Sequence, residues 1–253
     1  MKLLLTNDDG INAKGLHALA RELEKNHELI IAAPNSQRSA CGHSITIHEP
    51  LYVKEVKIDG IKSKAYSVSG TPADCVRVAL DKLMDRKVDM VISGINNGYN
   101  LGTDVIYSGT VSAAIEAAIY KIPSMAVSTD ITEEVEKYEI AASYASRILS
   151  IAKDKYNKDD VVLNLNVPLV PVEEIKGIKV CRVGGKTYDN YFIEKLGEND
   201  DRIYELKGKL NEPNNEETDV HYIKEGYVTL TPLHYDLTNF NILNEVGKIF
   251  NKQ

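Results

Sequence analysis

This chain of 253 residues predicts an α/β fold built on a doubly wound, mostly parallel sheet. Three observations carry that reading. Apolar, strand-type runs alternate with helix-type periodicity through the first two-thirds of the chain. The runs are apolar at consecutive positions, as strands are when helices cover both faces of their sheet. Turn and cap residues punctuate the connections. A repeated strand–helix order of this kind forms a parallel sheet with helices on both sides.

Leu3, Leu4 and Leu5 make the first apolar run. Leu16, Leu19, Ala20 and Leu23 then recur at helical spacing and mark one buried face. Residues 28–33 are a second strand, stopped by Pro34, and a polar loop follows over 35–44. Ile45, Ile47, Leu51 and Val53 indicate extended chain around Pro50, and residues 65–68 add a short strand. Gly70-Thr71-Pro72-Ala73-Asp74 is a helix start. Thr71 can cap, Pro72 suits the first helical position, and Asp74 lies in the positively polarised first turn. Val76, Ala79, Leu80 and Leu83 continue that helix's buried face. Residues 90–92 form the next strand, ending at Ser93-Gly94. Residues 111–119 are a helix of small side chains, able to pack close to the sheet. A strand over 125–127, a helix over 140–151 and a strand over 161–165 complete the series.

After Pro168 the rhythm breaks. Residues 178–183 are strand-like, and 184–225 are polar with scattered aromatics. A structureless loop of that length is uncommon in a compact domain, so an extended hairpin arm or a partner-contacting appendage is expected. Residues 227–230 return as a strand. The expected organisation is an α/β core over 1–185, an arm over 186–225, and a C-terminal return with an oligomer contact over 226–253.

The 43% hydrophobic content fits a globular core and not a disordered chain. Net charge is −7, without basic clusters, which argues against binding duplex DNA through its phosphates. A bound cation could still supply positive charge for a small phosphorylated substrate. Cys41, Cys75 and Cys181 are widely spaced and form no CxxC pair, so a reducing compartment is expected. The leucine run stops at Thr6-Asn7-Asp8, too short for a signal peptide or a membrane span. A cytoplasmic protein with no membrane partner follows as the expectation.

In a parallel sheet the carboxyl ends of the strands share one edge, and ligands collect there. Asp8 and Asp9 follow the first strand, Ser39 the second, and Asn96 and Asn97 the strand over 90–92. Two adjacent carboxylates are costly unless water or a cation compensates them. Carboxylate, hydroxyl and amide oxygens together suit Mg²⁺, Mn²⁺ or Ca²⁺ rather than a thiolate-held zinc. Taken singly, each residue also reads as an ordinary turn or cap; their convergence raises the functional reading.

Ser108-Gly109-Thr110 opens the small-residue helix. Helix N-termini expose unpaired N–H groups and bind phosphate, and Gly109 would permit close approach. A simple Ser or Thr cap is the alternative. His43 and His48 could carry protons or could merely be solvated. The chain has no GxxxxGK[ST] loop, GxGxxG fingerprint, GxSxG elbow or HExxH helix.

The residues that carry a family likeness are Thr6-Asn7-Asp8-Asp9-Gly10-Ile11, Ala33-Pro34-Asn35 with Gln37-Arg38-Ser39, and Gly70-Thr71-Pro72-Ala73-Asp74-Cys75-Val76. Ser93-Gly94-Ile95-Asn96 with Gly98, Tyr107-Ser108-Gly109-Thr110-Val111, Asn164-Leu165-Asn166-Val167-Pro168 and Gly226-Tyr227-Val228 with Thr231-Pro232-Leu233 extend it. In these motifs, and in their order, the chain resembles the SurE (survival protein E) family of metal-dependent nucleotidases. The resemblance implies hydrolysis of nucleoside monophosphates, 5′ and also 3′, to nucleoside and phosphate. It implies one divalent cation, Mg²⁺, Mn²⁺ or similar, held by Asp8, Asp9, Ser39 and Asn96. It implies a Rossmann-like core whose C-terminal β-hairpin arm is exchanged between subunits of a homodimer or homotetramer. On this reading metal-activated water attacks in line. Asp8, Asp9 and Asn96 are then catalytic, and Asn96, Ser108, Gly109 and Thr110 meet the phosphate. An aspartyl-phosphate mechanism like that of the haloacid dehalogenases uses Asp-x-Asp, whereas here the aspartates are adjacent. A nucleotide sensor using the same pocket without turnover is the alternative of a different class.

Overall fold

The computed structural model describes residues 1–85, 87–132, 134–155, 160–185, 187–197, 201–211 and 216–251. Of the arm expected over 186–225, residues 186, 198–200 and 212–215 lie outside the described set, as do 252–253 of the C-terminal return. In chain order the core comprises β1 (Lys2–Thr6), α1 (Lys14–Leu23), β2 (Glu28–Pro34), β3 (Val53–Val56), β4 (Lys64–Val68) and α2 (Pro72–Val78). It continues with β5 (Met90–Asn97), α3 (Asp104–Tyr107), α4 (Gly109–Ile119), β6 (Ser124–Thr129), α5 (Val135–Lys155) and β7 (Val162–Val167). The C-terminal part adds β8 (Ile178–Val180), β9 (Thr187–Leu196), β10 (Arg202–Asn211), α6 (Asp219–Lys224), β11 (Val228–Leu233) and α7 (Phe240–Phe250).

Among the described residues the main sheet has nine strands in the order β3-β4-β2-β1-β5-β6-β7-β11-β8. The six from β4 to β7 are parallel to their neighbours. β3 pairs antiparallel with β4 at one edge, and β11 antiparallel with β7 towards the other. The expected mostly parallel α/β sheet is therefore the observed one, with antiparallel strands at its flanks.

The apolar runs have a direct structural cause. Leu3 and Leu5 of β1 pack with Leu16 and Leu19 of α1 and Leu149 of α5 on one face. Leu4 points the other way, into a cluster with Val76 of α2 and Ala113 and Ala117 of α4. All three leucines are fully buried, each contributing roughly 1.5–3 kcal/mol. At α2 the cap works in both directions: Thr71 Oγ1 accepts from the Asp74 N–H at 3.2 Å, and the Thr71 N–H donates to Asp74 Oδ2 at 2.9 Å.

Several boundaries differ from expectation. β5 runs five residues past Ile92, through Ser93 to Asn97. The segment around Ile45 and Ile47 is not a strand, and the edge strand begins at Val53. β8 stops at Val180. β9 and β10 pair antiparallel over ten residues each and form a separate two-stranded sheet. α7 covers residues for which no helix was expected. Among the described residues no helix is long and apolar enough to cross a membrane.

The topology defines one special crevice. From β1 the chain lays β2 and β4 on one side, then crosses to place β5 on the other. The strand order reverses between β1 and β5, and ligands of open α/β sheets bind at such a reversal.

Candidate active site

The crevice is built first by the turn after β1. Asn7 is fully buried; its Nδ2 donates to the Gly10 carbonyl at 3.0 Å, and the Gly10 N–H donates to its Oδ1 at 3.1 Å. Gly10 sits at φ +99°, where a Cβ would also lie 3.3 Å from the Pro34 carbonyl. This clamp leaves Asp8 and Asp9 at the mouth of the crevice.

Asp8 is 6% exposed and accepts a short hydrogen bond from the Thr110 hydroxyl. Burial pushes its carboxyl up to about 6; the Thr110 hydroxyl opposes that shift and the neighbouring Asp9 charge adds to it. Asp9 accepts from the Asn97 N–H at 3.0 Å and from Gln37 Nε2 at 3.2 Å. Burial raises its carboxyl too, against the pull of those two donors. Among the described residues, no ion pair reaches either carboxylate.

Asn96 comes from the extension of β5, where the register with β6 slips between Ser93 and Asn96. Such irregularities re-aim side chains next to sites. Asn96 Nδ2 donates to the Gly98 carbonyl at 2.7 Å, leaving the amide oxygen to offer to a ligand. Ser39 lies on the loop after β2, which the Arg38 N–H ties to the Asp8 carbonyl at 2.7 Å. Asp8, Asp9, Ser39, Asn96 and Ser108 all line one cavity of about 840 Å³.

Gly109 and Thr110 stand behind that wall rather than in it. A Cβ at Gly109 would come within 2.8 Å of Asp8 Cβ and 2.9 Å of Cys41 Sγ, so only glycine lets α4 begin this close to the carboxylate. The Thr110 hydroxyl is committed to Asp8, and Ser108 Oγ caps α4 by accepting from the Val111 N–H at 3.1 Å. His43 does not face the cavity; its Nε2 meets Glu116 Oε2 at 2.6 Å. Cys75 and Cys181 are buried, and Cys41 is half-buried.

Sequence reasoning passed over several cavity residues. Gln37 is a near neighbour of Ser39 in the same candidate loop, and that adjacency is the signal available; Asn97, named with Asn96 at the strand end, serves through its backbone N–H rather than its side chain. Tyr99, Asn100, Asp104 and Tyr107 also line the cavity. The Tyr99 hydroxyl accepts from the Leu169 N–H at 3.0 Å, and burial pushes it up to about 12. Leu206, from β10 of the arm, forms a further part of the lining; nothing in its sequence surroundings marks it.

The donor chemistry fits a hard divalent cation. Two adjacent carboxylates, Asp8 buried and Asp9 half-buried, have no cationic partner among the described residues and need positive charge, and Ser39 and the Asn96 amide add neutral oxygens. Among the described residues no three His, Cys, Asp or Glu side chains converge, so the set depends on those neutral oxygens.

Comparison with known proteins bears on the same residues. The family model described as Survival protein SurE matches residues 3–190, which include every site position named above except Leu206. A protein of Clostridium botulinum (strain ATCC 19397 / Type A) named 5'-nucleotidase SurE is 58% identical over 251 residues, covering 99% of both chains. One of the same name from Clostridium beijerinckii is 53% identical, covering all of both. The crystal structure of the SurE protein from Aquifex aeolicus superposes with a TM-score of 0.84 at 37% identity, covering 98% of this chain and 99% of its own. With the match running through strands, crevice and loops alike, this chain belongs to the SurE family.

Proposed function

We propose that the protein is a metal-dependent phosphomonoesterase that hydrolyses nucleoside 5′-monophosphates to nucleoside and phosphate, with activity on 3′-monophosphates. The observation that carries this reading is the adjacent pair of buried Asp8 and half-buried Asp9, free of cationic partners among the described residues and facing a cavity of about 840 Å³. Full-length relatives named 5'-nucleotidase SurE support the substrate class.

Asp8, Asp9, Ser39 and Asn96 are the residues to hold one Mg²⁺, Mn²⁺ or similar ion. Bound there, the cation supplies Lewis-acid chemistry to a phosphoryl oxygen and acidifies water. The chain's own groups do the rest. Thr110 holds Asp8 in one rotamer, while Gln37 and the Asn97 N–H fix the plane of Asp9. The Gly98 carbonyl turns the Asn96 amide so that its oxygen is the free end. In-line attack sets the incoming water opposite the leaving ribose oxygen, and one of the two aspartates takes the water's proton. Tyr99, Tyr107 and Leu206 line the same cavity and offer the nucleoside apolar surface.

The protein also works as a homodimer or homotetramer, with the β9–β10 arm exchanged between subunits. The core over 1–185, the arm over 186–225 and the return over 226–253 are the parts of that assembly. The deciding experiment is a phosphate-release panel over 5′- and 3′-nucleoside monophosphates, with EDTA and with Mg²⁺ or Mn²⁺ restored. Release from AMP or GMP that EDTA abolishes and Mn²⁺ restores is expected. No release from any nucleotide under any metal would leave a binding protein.

A further inference from the structure

Two of the proposed ligands, Asp8 and Ser39, sit on separate loops, and α4 touches both. Its first turn reaches Asp8 through the Thr110 hydroxyl. Two turns on, Glu116 is 3% exposed and directs its carboxylate at the loop that carries Ser39. Glu116 Oε2 meets His43 Nε2 at 2.6 Å, and Glu116 Oε1 accepts from the Arg77 guanidinium of α2 at 3.0 Å.

The loop needs such a hold. Ala40, directly after Ser39, has φ +51°, a left-handed conformation that costs a non-glycine residue energy unless its surroundings impose it. Between Arg38 and Ser44 the ties from the loop to the body are few. The Gly42 N–H donates to the Tyr107 carbonyl at 3.0 Å, and His43 binds Glu116. Among the described residues, the His43–Glu116 contact is the one side-chain bond from this stretch to the body. Arg77 matters because its guanidinium donates to the other oxygen of the buried Glu116 and so fixes the carboxylate's orientation.

We propose that Glu116 and His43 are positioning residues that set Ser39 against Asp8, so that α4 fixes the spacing of the cation's oxygen ligands. The inference rests on Ser39 being a ligand. Groups that hydrogen-bond a metal ligand directly typically change metal affinity about 10- to 100-fold when lost; His43 and Glu116 act one step further out, through the loop backbone, so the low end of that range is expected.

The test is Mn²⁺ affinity of the full-length, metal-free protein, measured by electron paramagnetic resonance, alongside its thermal unfolding. His43→Ala and Glu116→Gln should each weaken Mn²⁺ binding about tenfold. His43→Gln, which keeps a donor at similar reach, should restore most of the loss. Adding His43→Ala to Ser39→Ala should weaken binding no further, because the route through Ser39 is already cut. Unchanged affinity in Ser39→Ala would overturn the ligand reading itself. A weakened Ser39→Ala with unaltered His43→Ala and Glu116→Gln would overturn this inference alone. So would losses in melting temperature without any change in Mn²⁺ affinity, the mark of a merely structural pair. Should Glu116→Gln fail to fold, the His43 series decides by itself.

Discussion

Asp8 couples the protein's stability to pH. Its carboxyl is raised from 3.8 to about 6, chiefly by burial, so the folded, metal-free protein holds that proton more tightly than the unfolded chain does. The resulting stability is fully present below 3.8 and is lost as pH rises through 6. Asp8→Asn keeps an acceptor for Thr110 and removes the charge. In metal-free melts it should match the parent near pH 4 and exceed it by about 3 kcal/mol at pH 8. A constant difference across that range would sink the assignment. With metal present, Asp8→Ala should lose about a thousandfold or more in turnover while keeping its circular dichroism spectrum. At this scale the sequence was informative about what sits in one loop and silent about what spans loops. Asp8 and Asp9 stand side by side at a strand end, plain to read. The bond from Thr110 crosses 102 positions, and its direction depends on where α4 starts; hence Thr110 reads as a phosphate contact when its proton is already given to Asp8.

Elements that bury apolar surface on both faces announced themselves. β1, β2, β6 and β7 are consecutive buried runs, and the Thr71-Pro72-Asp74 cap fixes where α2 begins. The tail of β5 did not, because Ser93, Gly94, Asn96 and Asn97 look like a turn. They are strand because they pair with β6 up to the crevice. α7 is hidden for the opposite reason. Its Phe240, Leu243, Val246 and Phe250 recur at helical spacing yet stay largely exposed among the described residues. The start of α4 gives the sharpest prediction at this scale. Gly109→Ala must displace Asp8 or Cys41, costing about 1–3 kcal/mol by overpacking. Chemical denaturation should register that cost, and Mn²⁺ binding should weaken with it; parental affinity in this variant would remove α4 from the account of the site.

At the scale of the molecule, apolar surface is left over. α7 has no buried residue, and an 11-residue helix with no packing is marginal in water. The arm exposes Tyr191, Phe192, Leu196, Tyr204 and Leu206. In the assembly proposed above, a second copy of the chain would cover both. Light scattering should give a dimer or tetramer, and Leu243→Glu combined with Val246→Glu should lower the mass. A monomer at micromolar concentration would exclude the assembly. Composition could foretell a partner-facing arm, but not which surface it meets, since exposure is set only once the sheet has taken up what it can cover.

The fully buried Asp219 carboxylate gathers three main-chain donors: Gly102 at 3.0 Å, Gly184 at 2.7 Å and Val220 at 2.8 Å. Chain that departs after Gly184 therefore comes home to the same carboxylate, beside the Asp219 N–H bond to the Arg182 carbonyl at 3.0 Å. The excursion between them should therefore behave as a cassette: trimming it to a tight reverse turn should leave Gly102 and its segment in their seat. Such a trimmed variant should still melt cooperatively and bind Mn²⁺, yet discriminate less among nucleosides for want of Leu206.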